Sequence, residues 1–362
     1  MKTTDLTFIT GSYTEQDCRF LLQPIQLTML SVEEKERQLQ SGKKHYSEMV
    51  SQEAAPSRAY LDVFYALVEQ YRHRLAQEIA DLAYQVNQLK GGQVTVVSLA
   101  RAGTPIGVLL TRALRHYYGS EVEHYSVSIV RDKGIDEAAL EYIEAAGRPA
   151  ESIIFADGWT AKGVITHELK TAVAHWNAHH DYQIPDDLCV VSDIGGTADI
   201  VATTEDYVIP SGILNSTVSG LISRSILLAQ YHGFHQCVMY TELQEHDLSN
   251  WFVDEVSGLF KQCQPRQIQV AQVSAEQRRA VMLEYIEGLM AKYDVKDRNR
   301  IKPGIAEATR VMLRRIPRLL IVRDLKDENV NHLVLLAKDK GVKVLEDARM
   351  PFNAVSLIAD AI

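Results

Sequence analysis

The stretch SIIFADGWTAKGVIT, residues 152–166, decides the fold. An apolar run ends at Asp157, a short loop of mostly small residues (160–163) follows, and a helical pattern begins after it. A strand, an acid, a tight loop and a helix in this order bring a carboxylate and several backbone N–H groups to one point. The helix N-terminus adds the positive end of its dipole. The order therefore predicts a strand–loop–helix unit suited to binding a sugar phosphate.

Apolar strands alternate with helical patterns on both sides of this unit. We expect strands at 94–100, 124–130, 152–158 and 188–194, and helices at 59–90, 104–118, 136–146 and 161–176. Regular alternation with apolar strands predicts the α/β class, with a doubly wound, mostly parallel sheet covered on both faces.

Composition limits the class of protein. The chain has 362 residues, 46% of them hydrophobic and 23% charged, as in soluble globular proteins. No apolar stretch approaches the roughly 20 residues of a membrane span, and the first residues lack the apolar core of a signal peptide. The four cysteines lie far apart without CxxC spacing. These features exclude a disulfide framework and favour a cytoplasmic protein without a membrane partner.

The length and the distribution of charge predict several units. Residues 296–350 carry 14 Lys and Arg against 8 Asp and Glu, although the whole chain has a net charge of −9. A basic segment in an otherwise acidic chain suggests either a second function, such as binding RNA, or a solubilising surface. We divide the chain into an N-terminal hood segment (1–58), an α/β domain (59–200), a Gly-, Ser- and Thr-rich pocket-completing region (201–272) and a helix with a small α/β module (273–362).

Three motifs follow predicted strands, where open parallel sheets bind ligands. ARAGTPIG (100–107) offers Arg101 and a loop of small residues, Ala102, Gly103 and Thr104. VRDKGID (130–136) offers Arg131 and Lys133 on a polar loop. The third is the opening stretch, whose phosphate loop comprises Thr160, Ala161, Lys162 and Gly163, with Thr166 beyond. Each motif alone also fits a plain structural turn, with a surface arginine, a solvated charged loop or an N-capping threonine.

Together these motifs resemble a type I phosphoribosyltransferase over residues 94–193. In that family the three motifs are the diphosphate loop, the flexible catalytic loop and the phosphoribosyl diphosphate motif. The last normally begins with two acids, and here Ala156 replaces the first. The resemblance implies transfer of a phosphoribosyl group between phosphoribosyl diphosphate and a nucleobase-like acceptor.

The same resemblance implies the residues for that reaction. Arg101, Arg131 and Lys133 would stabilise the leaving diphosphate together with Mg²⁺, and Asp157 would orient the ribose and contact the metal. The phosphate loop of 160–163 and Thr166 would hold the 5′-phosphate. Asp193 would face the base or Mg²⁺. Enzymes of this class often dimerise, so a homodimer stays open.

The whole chain resembles a narrower group, phosphoribosyltransferase-like proteins encoded with bacterial tellurite-resistance and stress genes. The residues that carry this resemblance include GSYTEQDCRFLLQPI, GKKHYSEM, IPSGILNSTVSGLISR and KPGIAEATRVMLRR. In that group the C-terminal module is similar to the RNA-binding domain of Pelota and L7Ae proteins, which agrees with the basic segment 296–350.

Two other functions remain open. Because Ala156 replaces an acid, the chain could be a non-catalytic sensor that binds a nucleotide or RNA. Some members of the group carry the label StiP cysteine protease, and for that chemistry Cys18 with His45 is the pair to test. Cys189 and Cys237 have the pattern of buried residues, and Cys263 that of a surface residue. Two polar runs could complete a pocket or simply form capped turns. They are His45 to Glu48, which includes Tyr46, and Asn215 to Ser219.

Overall fold

Most of the longer strands come from apolar runs of the chain. The computed structural model describes residues 6–42, 44–268 and 273–360. Its strands are β1 (Arg19–Leu21), β2 (Gln23–Pro24), β3 (Gln93–Leu99), β4 (Glu121–Val127), β5 (Ile129–Val130), β6 (Gly134–Ile135), β7 (Ile153–Thr160), β8 (Leu188–Asp193), β9 (Ile200–Thr203), β10 (Gln236–Cys237), β11 (Ile301–Pro303), β12 (Pro317–Val322), β13 (Val344–Glu346) and β14 (Ala354–Ile358).

The helices fill the intervals between these strands. They are α1 (Val32–Gln40), α2 (Arg58–Lys90), α3 (Thr104–Tyr118), α4 (Glu137–Ala145), α5 (Val164–His179), α6 (Ser249–Ser257), α7 (Ala275–Tyr293), α8 (Ile305–Arg314) and α9 (Asn331–Asp339). The long α2 begins where the Ser57 side chain accepts from the backbone N–H of Tyr60, and it ends at Gly91, whose φ of 75° few other residues adopt.

The central sheet has six parallel strands in the order β1-β4-β3-β7-β8-β9. Helices α2, α3 and α6 pack on one face, and α4 and α5 pack on the other. The chain runs from β3 outward to β4 on one side and through β7, β8 and β9 on the other. The loops after β3 and β7 therefore meet where the winding reverses, the usual place for a ligand in an open parallel sheet.

The C-terminal module has its own sheet, in the order β11-β14-β12-β13, with only β12 and β13 parallel. Helices α8 and α9 join the core that contains α2 and α3. Asp206, just after β9, accepts from the backbone N–H of Ile305 (2.9 Å) and of Asn353 (2.7 Å). The module is thus docked beside the carboxyl ends of the central strands.

The mixed α/β class with a parallel central sheet is confirmed, and the phosphoribosyltransferase-like type of winding stays a prediction. Residues 1–58 are not merely an irregular hood, because β1 extends the central sheet from within them. The strand expected at 124–130 ends at Val127, and β5 and β6 form a separate hairpin after it. The described residues form no helix long and apolar enough to cross a bilayer.

Candidate functional site

A cavity of about 710 Å³ opens between the carboxyl end of the central sheet and the C-terminal module. Six of the predicted residues from the opening stretch line it, together with Arg131; the six are Asp157, Thr160, Ala161, Lys162, Gly163 and Thr166. The loop folds tightly because Gly163 has a φ of 73° and α5 begins directly after it. The structure thus brings most of the predicted phosphate loop to one cavity.

The loop is nevertheless tied to protein groups. The Lys162 ammonium donates to the carbonyl oxygens of Arg298 (2.9 Å) and Ile301 (2.8 Å) in the C-terminal module. Burial, with Lys302 nearby, lowers the pKa of Lys162 to about 7. The hydroxyl groups of Thr160 and Thr197 lie 2.9 Å apart. Lys162 therefore holds the module against the loop.

Asp157 lies within β7, three residues before the strand ends at Thr160, and lines the same cavity. Burial raises its pKa to about 6, although the backbone N–H of Gly158 donates to it at 2.7 Å. Across the cavity, burial would raise the pKa of Glu307, but Arg310 and Lys302 outweigh that effect and lower it to about 2. Of these two carboxylates, Glu307 is therefore firmly ionised, whereas the raised pKa of Asp157 lies closer to neutrality.

A smaller cavity of about 190 Å³ adjoins the first and is lined by Arg101 and Ala102. The Arg101 guanidinium forms an ion pair with Glu53 and donates to the carbonyl oxygen of Ile222 at 2.5 Å. Its side chain is only 5% exposed, and its Nε has no hydrogen-bond partner among the residues that the structure describes. The Arg101 guanidinium thus uses its terminal N–H groups for contacts within the protein.

Arg131 and Lys133 lie on the hairpin of β5 and β6. The Glu168 carboxylate fixes this turn by accepting from the backbone N–H groups of Asp132 and Gly134, both at 2.8 Å. Arg131 reaches the larger cavity, whereas Lys133 is exposed and lines neither cavity.

Three further predicted residues also lie away from the cavities, and all three serve local structure. Thr104 is buried and its hydroxyl lies 2.7 Å from that of Ser126. Asp193 is buried and accepts from the backbone N–H groups of Gly195, Thr197 and Ala198 at 2.6–3.0 Å. Gly103 allows a close approach, since a Cβ there would lie 2.5 Å from the carbonyl oxygen of Ala156.

The two polar runs lie beside the cavities. Tyr46 lines both, and its ring lies under the guanidinium groups of Arg131 and Arg224 at 5.4 Å and 5.0 Å. His45 and Glu48 form a capping box around a short helical turn. Asn215 accepts from Arg314 Nε, so the run 215–219 supports the cavity wall.

Sequence reasoning missed most of the cations in the larger cavity. They come from α1, from the segment before β10 and from the module, and comprise Lys35, Arg224, Arg300, Lys302, Arg310, Arg314 and Arg315. Arg310 and Arg314 lie one turn apart on α8, so the spacing in TRVMLRR was the available signal. The others are far apart in sequence.

All four cysteines are buried. Cys263 is 7% exposed, so the expectation of a surface residue was wrong, whereas the burial of Cys189 and Cys237 is confirmed. Burial raises the pKa of Cys189 and Cys237 to about 12, and it raises the pKa of Cys263 as well. These thiols are therefore neutral at physiological pH.

Cys18 has a histidine neighbour, but it is His124 rather than His45. Strands β1 and β4 pair in parallel with Arg19 opposite Tyr125, and Cys18 and His124 each precede that pair by one residue. Cys18 packs into the core beneath α2 and α3, and a Cβ on Gly107 of α3 would lie 2.4 Å from His124 Nε2. Both side chains therefore face the same helices. His45 lies beside the 131–133 turn, and no hydrogen bond joins it to Cys18 in the described ranges.

Cys18 and His124 are both buried and uncharged in this conformation, and no hydrogen bond joins their side chains in the described residues. His124 Nδ1 lies 2.6 Å from the carbonyl oxygen of Asp17, and Nε2 lies 2.7 Å from Ser98 Oγ. Burial lowers the pKa of His124 to about 4. Burial and the Asp17 carboxylate raise the pKa of the Cys18 thiol well above its ordinary value. A nucleophilic thiolate would require this pair to be opened.

Comparison with known proteins decides the family. The model of a family described as tellurite-like stress resistance cysteine protease StiP matches residues 11–257. A relative named Cysteine protease StiP, from Acinetobacter baylyi (strain ATCC 33305 / BD413 / ADP1), is 39% identical over 363 residues, which span 96% of this chain and 94% of the relative. This chain belongs to the StiP family. A PELOTA RNA binding domain model matches residues 280–360.

Membership of the StiP family corrects the principal functional prediction. The family and the Acinetobacter relative are named for cysteine proteolysis. The prediction of a phosphoribosyltransferase was therefore wrong, and with it the assignment as a transferase that binds phosphoribosyl diphosphate and a base acceptor. The resemblance to the stress-gene group and to the Pelota module is confirmed. The described residues contain no cluster of three or more His, Cys, Asp or Glu that could hold a metal, and Mg²⁺ stays a prediction.

Proposed function

We propose that this chain is a cysteine protease whose nucleophile is Cys18 and whose general base is His124. The names of the family and of the Acinetobacter relative support proteolysis. The observation that supports these two residues is their matched register: Cys18 directly precedes β1, and His124 is the corresponding residue of the adjacent parallel strand β4. Cys263 is the weaker candidate, because the StiP match ends at residue 257.

The chemistry requires a proton transfer within the pair. His124 would accept the thiol proton, the thiolate would attack the peptide carbonyl, and the imidazolium would return the proton to the departing amine. Water would then release the acylated thiol. His124 Nδ1 donates to the carbonyl oxygen of Asp17, so Nε2 carries no proton. Nε2 can therefore accept the thiol proton once it separates from Ser98.

Activity also requires the segment before Cys18 to move, because the thiol is fully buried here. Several side-chain contacts hold that segment, among them that of Arg115 with the carbonyl oxygen of Gln16 at 2.7 Å. Arg112 pairs with Asp17, Tyr13 donates to the carbonyl oxygen of Val218 at 3.1 Å, and Asn250 donates to that of Ser12 at 2.6 Å. The described conformation is then the resting form of the protease.

Hydrolysis of an unfolded protein substrate tests the proposal. Casein cleavage should be lost in Cys18→Ala and in His124→Gln and should persist in Cys263→Ala. Circular dichroism and thermal unfolding establish that each variant is folded. Full activity of folded Cys18→Ala would refute Cys18, and no thiol-dependent cleavage by the wild type would refute proteolysis.

We propose RNA binding as a second function, carried by residues 280–360. The PELOTA RNA binding domain match and the basic balance of residues 296–350 support it. Contacts to phosphates release counterions, so the affinity for an RNA oligonucleotide should fall steeply as salt rises. Fluorescence anisotropy of the full chain at several salt concentrations measures this, and salt-independent or undetectable binding would contradict it. A cytoplasmic location suits both functions and remains part of this proposal.

A further inference from the structure

Besides Lys162, whose ammonium group is held by two backbone carbonyls of the C-terminal module, three cations in the larger cavity form no ion pair with a carboxylate anywhere in the described ranges. They are Lys35 of α1, Arg224 of the segment before β10 and Arg314 of α8, and we call them the cationic wall. Lys35 Nζ lies 3.4 Å from Ser51 Oγ. Arg224 donates to the backbone carbonyls of Tyr46 and Met49, and Arg314 Nε donates to Asn215 Oδ1. Their partners are thus neutral oxygens.

Neighbouring cations in the same region are paired, which makes the cationic wall distinct. Arg101 pairs with Glu53, Arg315 with Glu36 and Arg310 with Glu307. Among the described residues, carboxylates thus pair directly with these charges, and none forms an ion pair with the wall. Glu36 near Lys35, and Glu53 and Glu307 near Arg314, only partly offset the effect of burial on the pKa of these two cations.

Without a bound anion, the three buried charges of the cationic wall destabilise the folded protein. Lys35 is 8% exposed, and burial together with the charges of Arg224 and Arg314 lowers its pKa to about 7. Burial, with Arg315 and Arg101 nearby, lowers the pKa of Arg224 to about 10. Like charges removed from water repel one another strongly. A bound anion would relieve that repulsion.

The lining of the whole cavity shows the same imbalance. Nine Lys and Arg side chains line it against three carboxylates, Asp157, Asp297 and Glu307. Guanidinium groups match phosphoryl oxygens through paired N–H donors. The cavity volume of about 710 Å³ lies within the range of small-molecule sites.

We propose that the cationic wall binds a small ligand that carries a chain of phosphoryl groups, such as inorganic triphosphate or the triphosphate of a nucleotide. Lys35, Arg224 and Arg314 hold the phosphoryl oxygens, and the N-terminus of α5 faces the same cavity. Because the wall spans α1, the central domain and α8, the ligand also fastens the C-terminal module to the sheet. The site is separate from Cys18 and His124 and goes beyond the proposed proteolysis.

Calorimetric titration of the full chain with inorganic triphosphate and with ATP tests the assignment. Binding by the wild type should weaken at least tenfold in the double variant Arg224→Gln/Arg314→Gln. It should be unchanged in Arg318→Gln, which removes an exposed cation of the same module. Lys35→Met provides a single substitution with the same expected direction. Casein cleavage is measured in parallel, so that failure of this proposal is distinguishable from failure of the protease proposal.

Thermal unfolding separates loss of the site from loss of the fold. Without ligand, the double variant should unfold at a temperature no lower than the wild type, because its substitutions remove repulsion. Triphosphate should raise the midpoint of the wild type and of Arg318→Gln only. No binding to the wild type, or equal binding to the folded double variant, would overturn the proposal. Binding of RNA through Arg224 and Arg314 without binding of free triphosphate would also overturn it.

Discussion

Arg112 grips Asp17 with two hydrogen bonds, from Nε to Oδ1 at 2.8 Å and from Nη2 to Oδ2 at 2.6 Å. Asp17 immediately precedes Cys18, and its carbonyl oxygen contacts His124 Nδ1. The ion pair of Arg112 with Asp17 therefore fixes the segment that covers the Cys18 thiol and also fixes the orientation of the His124 imidazole. Because Arg112 belongs to α3, this helix holds the segment before Cys18 in place.

Replacing Arg112 with Gln should expose the Cys18 thiol. The Asp17 carboxylate would lose its partner, which should lower the free energy of unfolding by about 2 kcal/mol. This is less than the loss of a fully buried pair costs, because the Arg112 side chain is 22% exposed. Alkylation of Cys18 by iodoacetamide, followed by mass spectrometry, should accelerate. Arg58→Gln is the control, because its pair with Asp62 is exposed on both sides. Unchanged alkylation in Arg112→Gln would show that this ion pair does not cover the thiol.

Replacing Lys162 with Met should loosen the C-terminal module. The substitution removes the hydrogen bonds to the carbonyl oxygens of Arg298 and Ile301 and leaves the second, in a buried segment, unsatisfied. Hydrogen exchange of residues 298–303 should become faster while that of β3 stays the same. Lys170→Met, which removes an exposed pair with Asp199, should not change this exchange. Equal exchange in wild type and Lys162→Met would contradict the docking role.

Replacing His332 with Gln should change how stability depends on pH. His332 is 2% exposed, its Nε2 lies 2.8 Å from Thr309 Oγ1, and burial lowers its pKa to about 4. Because the unfolded chain takes up this proton near pH 6.5, the histidine opposes folding increasingly as pH falls from 6.5 to 4.

The difference in unfolding free energy between wild type and His332→Gln should therefore shift by up to about 3 kcal/mol in favour of the variant over that interval. Urea unfolding at pH 7, 5.5 and 4 measures it, and exposed His232→Gln serves as the control. A difference that is constant with pH would show that His332 does not titrate as its burial implies.

Replacing Gly103 with Ala should destabilise the turn after β3. The new Cβ would lie 2.5 Å from the carbonyl oxygen of Ala156 and 2.9 Å from that of Leu99, and neither backbone can yield easily. Overpacking of this kind costs about 1–3 kcal/mol. Gly92→Ala, whose Cβ would meet nothing within 4 Å, is the matched control in urea unfolding. Equal stability of the two variants would contradict the close packing of β3 against β7.

The sequence predicted the elements whose signal is local. Strands β3, β7 and β8 and helix α2 follow from apolar runs and periodicity, and their positions agree with the structure within a few residues. Helix α8 begins at Ile305, because Pro303 still belongs to β11.

Relationships between distant segments could not be predicted in this way. The proximity of Cys18 to His124 depends on β1 joining the edge of the sheet, and a three-residue strand leaves almost no pattern in the sequence. Likewise, Lys35, Arg224 and Arg314 meet only because the module docks beside the central strands. Charge counts detected the basic module but not the cavity that it helps to form.

Partial alkylation tests the role of Cys18 most directly. The wild type is treated with iodoacetamide until half of its casein hydrolysis is lost, and mass spectrometry then gives the modified fraction of each cysteine. We predict that the lost activity equals the modified fraction of Cys18 at every time point. Activity that disappears while Cys18 is unmodified, or that survives its complete modification, would contradict the assignment of Cys18 as the nucleophile.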